Sequence, residues 1–422
     1  MDKLDAAIDA LFPRALEVLE RLVSNASTIG NESGAQEAFA AELEMAGFAV
    51  TRLEIPESIA SDPDAGVPIV SYEHRYDIIG QRGPSDASRT VILNGHMDVV
   101  PADDASRWTS PPFEPTVVDG WLVGRGAGDM KAGFAAGLLA LWALDEISPG
   151  WMTGGLSFVA AIEEEATGNG TLASVRAGYT ADAAILLEPT DLDILLGGIS
   201  LIWISIEVEG LAGHAEAAME AVNPILGAYS VIAALQSLEA EMNEAHVSGD
   251  GADAAFAATA HPYNINVGRL LAGDWASSVP AIARLEVRVG HPGTWTSDEA
   301  FERVKAAVGS ALAGDAWFTA HPPRFTMTGY RVQRYLQDET ADVVTRLGDA
   351  HAEVHGVQPD RVTLGSTTDG RFYVNQAGMP TLAYGPRTRN MHGTDEAVEL
   401  ASIVQCAKVV ARFLAGWYGA AS

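Results

Sequence analysis

Residues Val91 to Ala102 read VILNGHMDVVPA. A β-forming apolar run enters Asn94-Gly95, where a turn is expected, and emerges with His96 and Asp98 two residues apart. A core strand has no use for two polar side chains at its end, whereas a binding site does. In open α/β sheets ligands collect at the carboxyl ends of strands.

The flanking sequence supports such a sheet. Up to about residue 198, apolar strand-like runs alternate with helical patterns: TVILNG, then KAGFAAGLLALWALDEI, GGLSFVAAIEEE, NGTLASVRAG and DAAILLEPT. That alternation predicts an α/β domain on a mostly parallel sheet with helices on its faces. Near Gly197-Gly198 the style changes. ISLIWISIEVEG, NPILGAYSVIAALQSLEAEM, YNINVGRL, AIARLEVRV, SDEAFERVKAAVGSAL and RFTMTG follow in the order β-α-β-β-α-β. This order predicts a ferredoxin-like α+β unit over residues 199–329, inserted into a discontinuous domain of residues 1–198 and 330–422.

A chain of 422 residues exceeds one simple core, in keeping with two domains. The 56 acidic and 26 basic residues give a net charge of −30. Such a field repels nucleic acid and anionic lipid, so neither is an expected partner. Most of that surplus reads as solvated surface, but some acids can hold cations. The single Cys406 sits in an amphipathic helical pattern and reads as a small buried apolar residue. A metal site here must therefore use His and carboxylates. The opening MDKLDAAIDALFPRALEVLERL mixes acids and bases through an amphipathic helix, without the basic-then-apolar pattern of a signal peptide. No apolar run approaches the roughly 20 residues of a membrane span, and the cytoplasm is the expected compartment.

The polar residues at strand ends form a set: His96 and Asp98 after VILNG, Asp129 in the Gly-rich turn after WLVGRGAG, Glu163 to Glu165 after LSFVAAI, Glu188 closing AAILLEP, and His392 after YGPRTRN. All fall at expected strand-to-helix turns of one sheet, so they can converge on one crevice. Two His and several carboxylates without Cys suit Zn²⁺, with Co²⁺ or Mn²⁺ as substitutes. A carboxylate can bridge two ions. His96, Asp129 and Glu188 would hold one, and Asp129, Glu165 and His392 the other. Asp98 would accept the second ring N–H of His96 and fix its tautomer. Glu164 remains as general base for a water held between the ions, and the expected chemistry is hydrolysis of an amide.

GHMDVVP, GRGAGDMKAG, EEEATGNG, LLEPT and MHGTDEAVEL, in this order, resemble the motifs of the di-zinc M20 metallopeptidases and deacylases. The resemblance covers nearly the whole chain and implies the same metal ligands, with Glu164 as base and Asp98 behind His96. The family's usual Asp-Glu-Glu reads Glu163-Glu164-Glu165 here, so a register one residue earlier, with Glu163 and Glu164 as base and ligand, is the alternative. GLAGHAEAAMEAVNPI resembles the family's lid motif, although Ala218 and Ala221 replace its Pro and Gly. The motif implies that His214 reaches a neighbouring subunit's active site to stabilise the oxyanion, and hence a homodimer through the inserted unit. Arg288 and Arg371 match positions near the substrate carboxylate in relatives, with Asn266 or Asn264 of YNINVG expected to assist, and Trp108 is expected to border the cleft. The reading is a dinuclear zinc amidohydrolase that deacylates an N-acyl amino acid, with a carboxypeptidase or dipeptidase acting on short peptides as the alternative.

Overall fold

The computed structural model describes residues 3–84, 89–249 and 253–419. Among them the larger unit is built on a nine-stranded sheet. Its four inner strands, Gly155–Ala161, Thr90–His96, Ala184–Leu186 and Thr381–Ala383, run parallel. Strands added outside them, including Tyr76–Arg82, Ala49–Glu54 and Tyr335–Leu336, pair antiparallel. The sheet is therefore mainly parallel at its centre, as alternating strands and helices dictate. The Thr90–His96 strand does not turn at Asn94-Gly95; both residues are paired within the sheet, and His96 is its last residue.

Helix Ala132–Ile147 lies against this sheet and explains its own composition. Its residues from Ala132 to Leu144 are all buried, so it is apolar all round rather than amphipathic. Helices Lys3–Ser24 and Leu400–Trp417 pack on it. Leu400–Trp417 corrects one expectation: its 18 residues are apolar enough, by length and composition, to cross a membrane. In the fold it is a core helix, burying Ile403, Cys406, Val410, Phe413 and Leu414.

The inserted unit is a four-stranded antiparallel sheet in the order Ile265–Ala272, Ile282–His291, Ser200–Glu209, Arg324–Val332. Helices Pro224–Ser248 and Ser297–Leu312 pack together and cover one face. This is the β-α-β-β-α-β sandwich that the sequence order predicts, although its last strand continues to Val332 rather than stopping at 329. Ser200–Glu209 shows why the insert is recognisable: Ile202, Ile204, Ile206 and Val208 are buried, alternating with half-buried residues, the period of a strand with one covered face.

A further four-stranded antiparallel sheet, in the order Thr388–Arg389, Ala397–Glu399, Trp121–Val123, Thr116–Val118, stands apart from the main one. It overturns the expectation that every site residue leaves one sheet. The turn carrying Asp129 follows Trp121–Val123, and His392 lies between Thr388–Arg389 and Ala397–Glu399.

Candidate metal centre

The main sheet aligns three of the strand ends. His96 is paired in parallel with Ala161, so the segments Met97-Asp98 and Ile162–Glu165 leave the sheet at the same edge. The neighbouring strand ends at Leu186, two residues before Glu188. The small sheet supplies the other side. Its Gly-rich turn presents Asp129, and its long hairpin presents His392.

Two groups of donors result, sharing Asp129: His96, Asp129 and Glu188, and Asp129, Glu165 and His392. His96 Nε2 lies 3.1 Å from Asp129 Oδ1 and 3.8 Å from Glu188 Oε2. On the other side His392 Nε2 lies 3.3 Å from Asp129 Oδ2 and 3.1 Å from Glu165 Oε1. Four ligands about 2.0–2.1 Å from one tetrahedral ion stand about 3.3 Å from one another, so these spacings suit a divalent cation in each group. A further observation supports the fit: Glu188 Oε1 is buried with no hydrogen-bond partner, a cost that a cation removes.

The electrostatics agree. Burial, and then the neighbouring acids, push the Glu188 carboxyl up to about 8, although His96 opposes the rise. Burial likewise holds Glu164 well above the usual carboxylate range. His392 is raised to about 11, chiefly by Glu165. His96 is raised despite its burial, because Glu188 and Asp129 favour its charged form. The surrounding carboxylates thus favour the charged form of both imidazoles. Metal ligands must be free of such protons, so a cation held by these residues would displace them.

Asp98 acts differently from its expected role. Its carboxylate Oδ1 is 3.8 Å from His96 Nδ1, while its backbone carbonyl is only 2.8 Å from that nitrogen. The ring is thus oriented by the carbonyl two residues on, which the local chain path brings under it. The carboxylate instead accepts the backbone N–H groups of Glu164 and Glu165, each at 3.1 Å, and so fixes these two residues together.

The glutamate run is resolved by its surroundings. Glu163 is fully buried; it accepts from Arg75 Nη1 at 2.9 Å, from Thr167 Oγ1 at 2.7 Å and from the Tyr72 hydroxyl. Glu164 and Glu165 line the cavity. The earlier register, with Glu163 and Glu164 as base and ligand, does not fit.

That cavity, of about 650 Å³, lies between the two units. Asp129, Glu164, Glu165, Glu188 and His392 line it from the larger unit, and Trp203, Asn266, Arg288 and Tyr330 from the insert. Arg288 donates to the Gly365 carbonyl at 3.1 Å, and burial lowers its pKa. Arg371 is not in this wall. It is buried, donating to the carbonyls of Thr368 at 2.8 Å and Thr167 at 2.9 Å and lying 3.5 Å from Asp369, so its role is to hold the loops behind the site. Trp108 does not border the cleft either: its indole donates to Ala102 at 2.9 Å beneath Arg125. His214 is exposed, accepts from the Glu216 N–H at 3.2 Å and lies outside the cavity wall of its own chain.

Tyr330 is a cavity residue that sequence reasoning missed. A register shift between Thr328 and Arg331 interrupts the last insert strand. The Tyr330 hydroxyl there donates to the Glu164 carbonyl and stands 3.4 Å from Glu164 Oε2. No motif marks it.

Fold and site together define a two-domain hydrolase of amide bonds, and the comparisons agree. The profile of peptidase family M20/M25/M40 matches residues 92–416, and the chain belongs to that family. It is 31% identical over 420 residues to a succinyl-diaminopimelate desuccinylase from Methylorubrum populi, covering 96% of this chain and 98% of the relative. An N-formyl-4-amino-5-aminomethyl-2-methylpyrimidine deformylase from Halalkalibacterium halodurans is 28% identical over 354 residues, covering 79% and 80%. Among solved structures, the dipeptidase Dug1p from Saccharomyces cerevisiae superposes with a TM-score of 0.81 at 15% identity, covering 100% of this chain and 99% of that one. A dinuclear metal-binding M20 peptidase from Bacillus subtilis gives 0.61 at 14%, covering 98% of this chain and 100% of that one. At such identities these structures speak for the fold alone.

Proposed function

We propose that the protein is a dinuclear zinc enzyme that deacylates an N-acyl amino acid. The observation that carries this reading is the pair of donor groups sharing Asp129, with Glu164 beside them in one cavity. Bound there, two divalent ions supply Lewis acidity and bring the pKa of water toward neutrality. His96, Asp129 and Glu188 would hold one and Asp129, Glu165 and His392 the other. Glu164 takes the proton of the attacking water and returns it to the leaving nitrogen. Its backbone is pinned by Asp98 and its carbonyl by Tyr330. The burial that raises its pKa suits a group that must both accept and give a proton. The wall holds two guanidiniums, an exposed Arg269 and a half-buried Arg288; Arg288, which donates to the Gly365 carbonyl, anchors the substrate's carboxylate, with Asn266 on the neighbouring strand. The named relatives, a desuccinylase and a deformylase, both remove acyl groups, which favours deacylation over the dipeptidase alternative.

The reading includes a homodimer built through the insert. Its support is the exposure there of Met219, Leu226, Tyr229 and Trp275, since such apolar surface favours burial against a partner. His214, outside its own cavity, then serves the partner's oxyanion. The cytoplasm is the proposed compartment. The test is a hydrolysis screen of zinc-loaded protein against N-acetyl, N-succinyl and N-formyl amino acids and simple dipeptides. Turnover of an N-acyl amino acid is expected; turnover of dipeptides alone would favour the second reading.

A further inference from the structure

Asp129 has to serve two donor groups at once, turning Oδ1 to His96 and Oδ2 to His392. A side chain with that task needs a backbone held to within a few tenths of an ångström. Yet the turn presenting it contains Gly124, Gly126 and Gly128, and Gly126 has a φ of 79°. Glycine leaves a turn with the greatest backbone freedom, so something outside the turn has to fix it.

That something is Glu396, fully buried at the start of the Ala397–Glu399 strand. One of its oxygens, Oε1, accepts the N–H groups of Gly126, Gly128 and Asp129, each at 3.0 Å. Its backbone carbonyl accepts the Gly124 N–H at 2.9 Å. The other carboxylate oxygen receives Arg125 Nη1, and Arg125 also donates to the Gly393 carbonyl at 3.2 Å, next to His392. The glycines make this approach possible: a Cβ on Gly128 would lie 2.9 Å from Thr388 Cγ2 and 3.4 Å from Glu396 Oε1.

We propose that Glu396 is a positioning residue for the metal pair, clamping the Asp129 turn through three backbone N–H groups so that one carboxylate reaches both ions. The clamp also ties the two loops of the small sheet, since Glu396 follows His392 by four residues in the same hairpin. This rests on the dinuclear reading above. Removing the carboxylate leaves three N–H groups, two of them fully buried, without their acceptor, and the turn is then free to carry Asp129 away from one donor group or the other.

The experiment is a Co²⁺ titration of chelator-stripped protein, followed by visible absorption with a competing chelator, for wild type, Glu396→Gln, Glu396→Ala and Arg125→Met. Circular dichroism and thermal unfolding accompany each variant. Wild type is expected to bind two equivalents. Glu396→Gln, which keeps an acceptor but loses its charge, is expected to bind about tenfold more weakly, and Glu396→Ala at least a hundredfold, as fits the greater strength of charge-assisted bonds. Arg125→Met, which leaves the three N–H contacts in place, is expected to stay within about threefold of wild type. Should Glu396→Ala not fold, Glu396→Gln against Arg125→Met still decides. Two wild-type-like equivalents in both Glu396 variants, or an Arg125→Met loss as large as that of Glu396→Gln, would overturn the clamp. A wild-type protein that binds no cobalt pair would instead sink the dinuclear reading itself.

Discussion

Glu163, Glu164 and Glu165 are adjacent and all buried, yet their partners differ. Glu163 is saturated by Arg75, Thr167 and Tyr72, Glu165 faces His392, and Glu164 lines the cavity beneath Tyr330. Glu164→Gln is therefore expected to keep its metal and lose about 10²- to 10⁴-fold in kcat, checked by metal analysis alongside initial rates. Glu163→Gln should instead cost about 3–5 kcal/mol of stability, because it breaks a buried ion pair, and a denaturant titration reads that. The two arginines separate in the same way. Arg288→Met is expected to raise KM about 10- to 100-fold, the worth of a hydrogen bond to a charged group, with kcat little changed. Arg371→Met should lower the thermal midpoint, leaving buried Asp369 without its guanidinium. At this scale the two donor groups were legible, because His96, Glu165 and Glu188 follow apolar strands whose ends meet at one edge of the sheet. The roles of Asp98 and Arg371 were not. Sequence spacing gives the residue but not which of its oxygens, backbone or carboxylate, faces the imidazole, and it cannot distinguish an arginine in a cavity wall from one folded back onto carbonyls.

The elements are held at the site by close approach rather than by size. A Cβ on Gly133 would lie 1.9 Å from the Leu187 carbonyl, so helix Ala132–Ile147 touches the strand end just before Glu188. Gly133→Ala is expected to cost about 1–3 kcal/mol by overpacking and to weaken metal binding along with stability. Gly309, inside helix Ser297–Leu312, has open space where its Cβ would go, so Gly309→Ala should instead gain about 0.5–1 kcal/mol. Thermal unfolding of the two variants reads the contrast. Long periodic elements such as Ser200–Glu209 and Ser297–Leu312 were plain in the sequence. The small sheet was not, because its strands are two or three residues long, too short for any period to show. With it went the origin of Asp129 and His392, and the clamp at Glu396.

The whole molecule joins a sheet-based frame to an insert that supplies one wall of the cavity. His291, fully buried at the end of an insert strand, has its pKa lowered to about 4 by burial. Its folded state refuses a proton that the unfolded chain accepts below about 6.5. Its contribution is therefore intact above pH 6.5 and is lost as pH falls toward 4, by about 3 kcal/mol at most. Relative to His291→Gln, wild type is expected to lose stability over that window in denaturant titrations, whereas a constant difference would contradict it. The central claim concerns the five ligands gathered from distant parts of the chain: that they hold two divalent cations on which hydrolysis depends. Elemental analysis of purified protein, before and after stripping with a chelator and reloading with zinc, measures this directly. The account predicts two equivalents per chain, amide hydrolysis abolished on stripping and restored on reloading. Less than one equivalent, with no activity gained on adding zinc, cobalt or manganese, would contradict it.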